Sequence, residues 1–369
     1  MKTKNRPYRF LIAGGGTGGH IFPAISIARG IKEKFPDAEI LFAGALGRME
    51  MQRVPQAGFK IVGLPIAGLQ RKWTAQNLLL PFKVTKSIAK ALEILRDFRP
   101  DAVIGTGGYA SAPVVWAAQF KKIPTFIQEQ NSYPGLTNRF LGKRARKIFI
   151  AYDEAARYFP EGKTVLTGNP VRPEIRNMKT SPAEGRAHFG IRSDLPVVLI
   201  LGGSLGSAAV NARIAEILRQ KGRDLPFELI WQTGKLYYDR YQHLAGERVR
   251  IMPFIQKMDK AYAAADIIVS RAGAGTLSEL ALAGKPVILI PSKNVSEDHQ
   301  TKNALALVKR QAAELLPEEK SEELFERLTA LLNDPKKRME MAENLKKTAK
   351  PDATEKIVDH ILQNLKSHA

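Results

Sequence analysis

Residues 9–20 read RFLIAGGGTGGH, and this stretch decides the fold. Phe10, Leu11, Ile12 and Ala13 form a short apolar run that ends in three glycines. A run this short, bounded by glycine, predicts a strand buried on both faces of a parallel sheet. The glycines let backbone N–H groups approach a phosphate or a sugar. A helix expected over about residues 23–35 would add its positive end. The same plan returns in residues 196–202 (PVVLILG), followed by GGSLGS and a helical pattern over 208–219. A second echo lies deeper in each half. DAVIG (101–105) leads into TGGYAS, a helix and IPTFIQEQN, while DIIVS (266–270) leads into RAGAGTLSE, a helix and PVILIPSKN. Two α/β units of doubly wound parallel sheet follow from this alternation. Residues 167–190, with three prolines, three glycines and no apolar period, mark the boundary. The tail from residue 321 is amphipathic, and a final helix is expected over 353–365.

The chain has 369 residues, enough for two or three cores, and no cysteine. Disulfide scaffolds, thiolate metal sites and cysteine nucleophiles are excluded. No window of eighteen apolar residues is present, so no spanning helix is expected, and the N-terminus does not read as a secretory signal. Lys and Arg outnumber Asp and Glu by 57 to 36, a net charge of +21, of which +15 falls in residues 1–170. That asymmetry directs the first half towards a polyanion: nucleic acid, an anionic membrane or a phosphorylated substrate.

GGGTGGH (14–20) is not a P-loop, since no Lys-Ser/Thr closes it, and by itself it is equally a tight structural turn. His20 beside it is a candidate general base, or simply a cap of that turn. In GGSLGS, Ser204 could bond a phosphate oxygen or serve as an N-cap. In RAGAGTLSE, backbone amides around Gly273–Thr276 could receive a diphosphate, with Ala274, Gly275, Thr276, Leu277 and Ser278 as candidate binding residues. Glu279, one turn on, could grip ribose hydroxyls or merely favour the helix dipole. His299 and Gln300, in EDHQTKN, are candidates for sugar hydroxyls or an exposed polar loop. The six histidines are isolated, with no HExxH, so no metal is expected, and no GxSxG supports a nucleophile. Trp73, Leu79 and Phe82 lie beside cations, and Lys143 and Arg144 belong to the basic cluster GKRARK. An apolar patch rimmed by cations suits monotopic binding to anionic lipid. No RRM, KH or helix-turn-helix signature supports nucleic acid as a partner.

Seven motifs occur in order: GGGTGGH (14–20), GTGGYAS (105–111), EQN (129–131), GNPVR (168–172), GGSLGS (202–207), AGAGTLSE (272–279) and DHQTKNA (298–304). Together they resemble the bacterial peptidoglycan glycosyltransferases that make lipid II, over almost the whole chain. The resemblance implies a GT-B fold, two Rossmann-like domains facing a cleft: 1–167 for acceptor and membrane, 168–349 for UDP-GlcNAc, and a helix in 350–369 returning to the first domain. It implies metal-independent, inverting transfer of GlcNAc from UDP-GlcNAc to the 4-hydroxyl of MurNAc in lipid I, without a cofactor. It further implies a peripheral position on the cytoplasmic face of the plasma membrane and other cell-wall synthesis proteins as partners. By motif, Ser204 and Arg172 resemble diphosphate contacts, Ile255 the residue whose backbone reads uracil, Glu279 the ribose ligand, and His299 with Gln300 the readers of GlcNAc. Thr17, Gly18, Gly19 and Asn131 resemble residues near the transferred sugar. Gly107, Gly108 and Tyr109 resemble the loop that receives the lipid diphosphate. One departure stands out: Gln128 occupies the position before EQN where many relatives carry histidine, so no proton transfer can be assigned there. A non-hydrolysing UDP-GlcNAc epimerase remains an alternative on the same fold, but the glycine motifs do not supply its acid/base carboxylates.

Overall fold

The computed structural model describes residues 6–66, 80–203, 205–222, 224–292 and 298–366. Two compact units divide the chain: Met1–Arg172 together with Asp352–Ala369, and Pro173–Pro351. The break falls after Arg172 because residues 167–171 still belong to the first unit. Thr167, Asn169 and Val171 are buried, and Asn169 is bonded to Gln128 of that unit.

The first unit is built on a seven-stranded parallel sheet of order β3-β2-β1-β4-β5-β6-β7. Its strands are β1 Arg9–Gly14, β2 Glu39–Ala45, β3 Lys60–Leu64, β4 Ala102–Gly107, β5 Thr125–Glu129, β6 Lys147–Ile150 and β7 Thr164–Leu166. Period-2 alternation sorts β1 cleanly. Leu11 and Ala13 enter the core under the helices Leu80–Phe98 and Ala112–Phe120, whereas Phe10 and Ile12 face the opposite core. The opposite core contains the helix Gly18–Lys34 and the last helix, Ala353–Lys366. Ile357, Val358, Ile361 and Leu362 of that last helix are buried, each contributing about 1.5–3 kcal/mol.

The second unit has a six-stranded sheet of order β10-β9-β8-β11-β12-β13. These strands are β8 Val197–Leu201, β9 Glu228–Gln232, β10 Val249–Met252, β11 Ile267–Ser270, β12 Val287–Leu289 and β13 Glu314–Leu315, paired in parallel. The internal echo extends to single side chains. Asp101, just before β4, accepts the N–H of Arg9 at 2.9 Å, and Asp266, just before β11, accepts the N–H of Val197 at 2.8 Å. In each unit the strand order reverses between the first strand and this Asp-led strand, at β1/β4 and β8/β11. Open α/β sheets bind ligands at the carboxyl ends of strands at such a switch point. All four glycine motifs leave strands there.

Candidate active site

The helix Gly18–Lys34 starts inside the glycine run rather than near Pro23. Proline favours the first helical position, which is why the sequence suggests a later start. Instead, Thr17 is the N-cap in extended conformation, and its carbonyl accepts from the N–H groups of His20 (3.1 Å) and Ile21 (3.3 Å). Pro23 lies within the helix, and His20 stands in its first turn. The Nδ1 of His20 is 3.0 Å from the Gly15 carbonyl and 3.2 Å from the Thr17 hydroxyl. A carbonyl only accepts, so Nδ1 carries the proton and Nε2 of the neutral ring holds the lone pair. That is the form a base requires. The ring lies over the β4 turn. Gly108 has φ +75°, and a Cβ there would overlap the Gly15 carbonyl and stand 3.1 Å from His20 Nδ1. The Tyr109 ring closes on Gly16, and the Thr106 hydroxyl donates to the His20 carbonyl at 2.9 Å. Thr17, Gly18, Gly19, His20, Gly107, Gly108 and Tyr109 therefore meet at one switch point.

The EQN motif follows β5. Glu129 is buried, and its carboxylate accepts from the Asn131 N–H (2.9 Å), the Asn131 side-chain amide (3.2 Å), Asn138 Nδ2 (2.9 Å) and the Gly135 N–H (3.3 Å). The Asn131 amide nitrogen is thus tied to Glu129. Burial pushes the Glu129 carboxyl above the usual range, against the pull of these hydrogen bonds. Gln128 is buried as well; its amide donates to Asn169 at 3.0 Å, so this position is a structural tie between β5 and the GNPVR segment. Because the native state binds the Glu129 proton more tightly than the unfolded chain does, this group costs stability as pH rises from about the ordinary value of 4.5 through its raised one. In denaturant titrations, Glu129→Gln should gain on the wild type over that rise in pH; a difference independent of pH contradicts this.

In the second unit, β8 runs into Gly202 and Gly203, and Ser207 caps the helix Ala208–Lys221 by accepting from the Val210 N–H at 3.3 Å. Ser204 lies outside the described residues. β11 leads to the helix Ala274–Ala283, whose N-cap Gly273 provides no side-chain cap. A Cβ added at Gly275 would meet nothing within 4 Å, so this turn has room above it. Ala274 and Leu277 point into the core, and the Leu277 N–H donates to the Gly273 carbonyl at 2.9 Å, so the N–H groups of Gly275 and Thr276 lie ahead of the helix's hydrogen-bond ladder. Ser278 turns back to the Ala274 carbonyl at 3.1 Å. Glu279 accepts from the Tyr262 hydroxyl at 3.0 Å through Oε2. Gln300 Oε1 accepts from the Ser292 N–H at 2.9 Å, and His299 begins the helix His299–Val308. The Ile255 N–H already donates to Gln232 at 2.8 Å, so its carbonyl is the group suited to a base N–H. Arg172, at the end of the first unit, stacks on the Phe22 ring at 5.6 Å.

Two braces escape sequence reading. Gln232 joins the Ile255 N–H to the Gly203 carbonyl, the latter at 3.1 Å. Arg271 donates to the Ser207 hydroxyl at 2.6 Å and the Ile290 carbonyl at 2.9 Å, linking two glycine loops to the β12 exit. Arg271 stands in a quoted motif, but neither partner set has a local spacing.

Away from these loops, the first unit shows an apolar surface. Phe82 is 69% exposed, Leu136 71% and Phe140 62%. Phe140 also lines an apolar cavity of about 210 Å³ with Ile66, Val84, Ile88, Trp116 and Leu141. Lys86, Lys143 and Arg144 are exposed. Trp73 and Leu79 lie outside the described residues. Leu136 and Phe140, four apart on the helix Leu136–Gly142, were not legible as patch members because the surface is assembled from separate chain segments. Among the described residues, no helix is long and apolar enough to cross a membrane, and no group of three His, Asp or Glu is placed to hold a metal ion.

Two doubly wound parallel units with glycine loops at their switch points define the GT-B class of glycosyltransferase. The pattern of the Glycosyltransferase family 28 N-terminal domain matches residues 10–150, and that of the family 28 C-terminal domain matches 197–357; the chain belongs to glycosyltransferase family 28. It is 50% identical, over 98% of both chains, to the UDP-N-acetylglucosamine--N-acetylmuramyl-(pentapeptide) pyrophosphoryl-undecaprenol N-acetylglucosamine transferase of Flavobacterium psychrophilum. A crystal structure of Acinetobacter baumannii MurG superposes with a TM-score of 0.74 at 29% identity, covering 97% of this chain and 99% of that one. A UDP-GlcNAc 2-epimerase from Neisseria meningitidis, at 18% identity and a TM-score of 0.65 over 96% of this chain and 100% of its own, shares the fold alone.

Proposed function

We infer that the chain transfers GlcNAc from UDP-GlcNAc to the 4-hydroxyl of MurNAc in lipid I, with inversion, to give lipid II. The observation that carries this reading is the 50% identity, over 98% of both chains, to a transferase whose name states both substrates. The geometry is consistent with it. In the first unit, His20 Nε2 takes the acceptor hydroxyl proton while the Gly107–Tyr109 turn receives the lipid diphosphate. In the second unit, N–H groups at the start of the helix Ala274–Ala283 face the UDP diphosphate, and the helix dipole stabilises the charge that develops as UDP departs. Ser204 and Arg172 add contacts to that diphosphate, the Ile255 carbonyl takes the uracil N–H, Glu279 holds ribose, and His299 with Gln300 reads GlcNAc. Thr17, Gly18, Gly19 and Asn131 flank the reacting sugar. Incubation with labelled UDP-GlcNAc and a lipid I analogue tests the reading, and label in the lipid product is expected.

We also propose that the chain docks peripherally on the cytoplasmic face of the plasma membrane, where other cell-wall synthesis proteins are its neighbours. Phe82, Leu136 and Phe140 enter the lipid, and Lys86, Lys143 and Arg144 meet anionic headgroups, each worth about 1 kcal/mol near such a surface. In liposome flotation, the wild type should float with anionic vesicles and less with neutral ones. Leu136→Asp with Phe140→Asp should remain in the pellet while UDP binding is kept. Equal flotation of wild type and double variant removes the patch from the account.

A further inference from the structure

We propose that Glu50 is a positioning residue for His20, acting through the single peptide group that joins Gly15 to Gly16; the inference rests on the reading of His20 as the base. Glu50 opens the short helix Glu50–Gln56 after β2 and is 0% exposed. One of its oxygens accepts from the Ala45 N–H at 3.0 Å, and both lie 3.2 Å from the Gly16 N–H. The carbonyl of that same peptide, on Gly15, accepts from His20 Nδ1 at 3.0 Å. Carboxylate, peptide and imidazole therefore form one line of hydrogen bonds. A Cβ on Gly15 would overlap the Glu50 carboxylate, so glycine is what lets the acid approach.

The physical consequence is specific. An anion on the N–H side polarises the peptide and strengthens its carbonyl as an acceptor. The stronger acceptor holds the proton on Nδ1, keeps Nε2 as the basic nitrogen and stabilises the imidazolium once Nε2 is protonated. The arrangement matches an aspartate–histidine pair with one peptide inserted. In the transfer step, the acceptor O–H bond breaks and its proton goes to Nε2. The oxygen keeps the electron pair and bonds the anomeric carbon, and the bond from that carbon to the diphosphate oxygen breaks with its pair leaving on UDP. The proton stays on the imidazole, and none moves along the peptide. Glu50 also occupies the Gly16 N–H, so the glycine loop after β1 is filled from inside by the protein's own side chain.

Other titratable or charged groups around the ring come from each element packed near it. Tyr109 comes from the β4 turn, Glu129 of β5 accepts from Asn138, whose Nδ2 is, like the His20 ring, close to Gly107, and Arg172 lies over Phe22, two residues further along the helix. None of them shares the Gly15–Gly16 peptide in the hydrogen bonds described above.

The test is NMR titration of the full chain without substrate, together with the pH profile of kcat/KM. In the wild type, the neutral His20 ring should be the Nδ1–H tautomer, and the Gly16 amide proton should shift with the His20 midpoint. In Glu50→Gln, that midpoint should fall by about one pH unit, and the acid limb of the profile should fall with it. An unchanged His20 midpoint in a folded variant overturns the proposal. Should Glu50→Gln fail to fold, the wild-type titration decides, and a Gly16 amide indifferent to His20 overturns it. Full activity of His20→Ala, with both NMR results as expected, removes His20 as base and leaves the peptide coupling standing.

Discussion

His20→Ala is expected to lower kcat by about 10²–10⁴-fold, the usual contribution of a positioned general base, while the KM for UDP-GlcNAc changes little. The ring is half-buried on a glycine turn rather than in either core, so its removal leaves the packing of β1 and β4 intact. His20→Gln separates the roles: an amide can still reach the Gly15 carbonyl but cannot take a proton at neutral pH. Both variants should fail alike in single-turnover transfer and still bind UDP in calorimetry. A loss smaller than about threefold in either would assign the proton to another acceptor.

Glu279→Ala is expected to raise the KM for UDP-GlcNAc by about 10²-fold. A hydrogen bond to a charged acceptor contributes about 1.5–3 kcal/mol, and tenfold in affinity is about 1.4 kcal/mol, so losing one or two ribose contacts gives that range. Tyr262, buried with its hydroxyl on Glu279 Oε2, also loses that hydrogen bond. Glu279→Gln keeps an acceptor and should recover part of the affinity. UDP calorimetry on both variants checks this, and an unchanged affinity in the alanine variant places the ribose elsewhere.

Strands were legible where burial on two faces forced short, unbroken apolar runs, as at residues 9–14 and 197–201. The start of the helix Gly18–Lys34 was not, because its first turn is made by residues of low helix propensity and held by the Thr17 carbonyl. The glycine loops could be read as turns at strand ends from their composition. Their braces could not: Glu50, Gln232 and Arg271 act on segments set beside them only by the parallel pairing of distant strands. The same holds for the apolar surface. Phe82 stands near cations in sequence, while Phe140 and Trp116 meet Val84 and Ile88 only after three helices pack together.

Incubating the purified chain with UDP-GlcNAc labelled in the sugar and a short-chain lipid I analogue, then analysing the lipid product, should give a β-1,4-linked GlcNAc–MurNAc lipid and one UDP released per linkage formed. Release of UDP with free sugar, epimerised UDP-sugar, or no transfer to the lipid would contradict the proposed function.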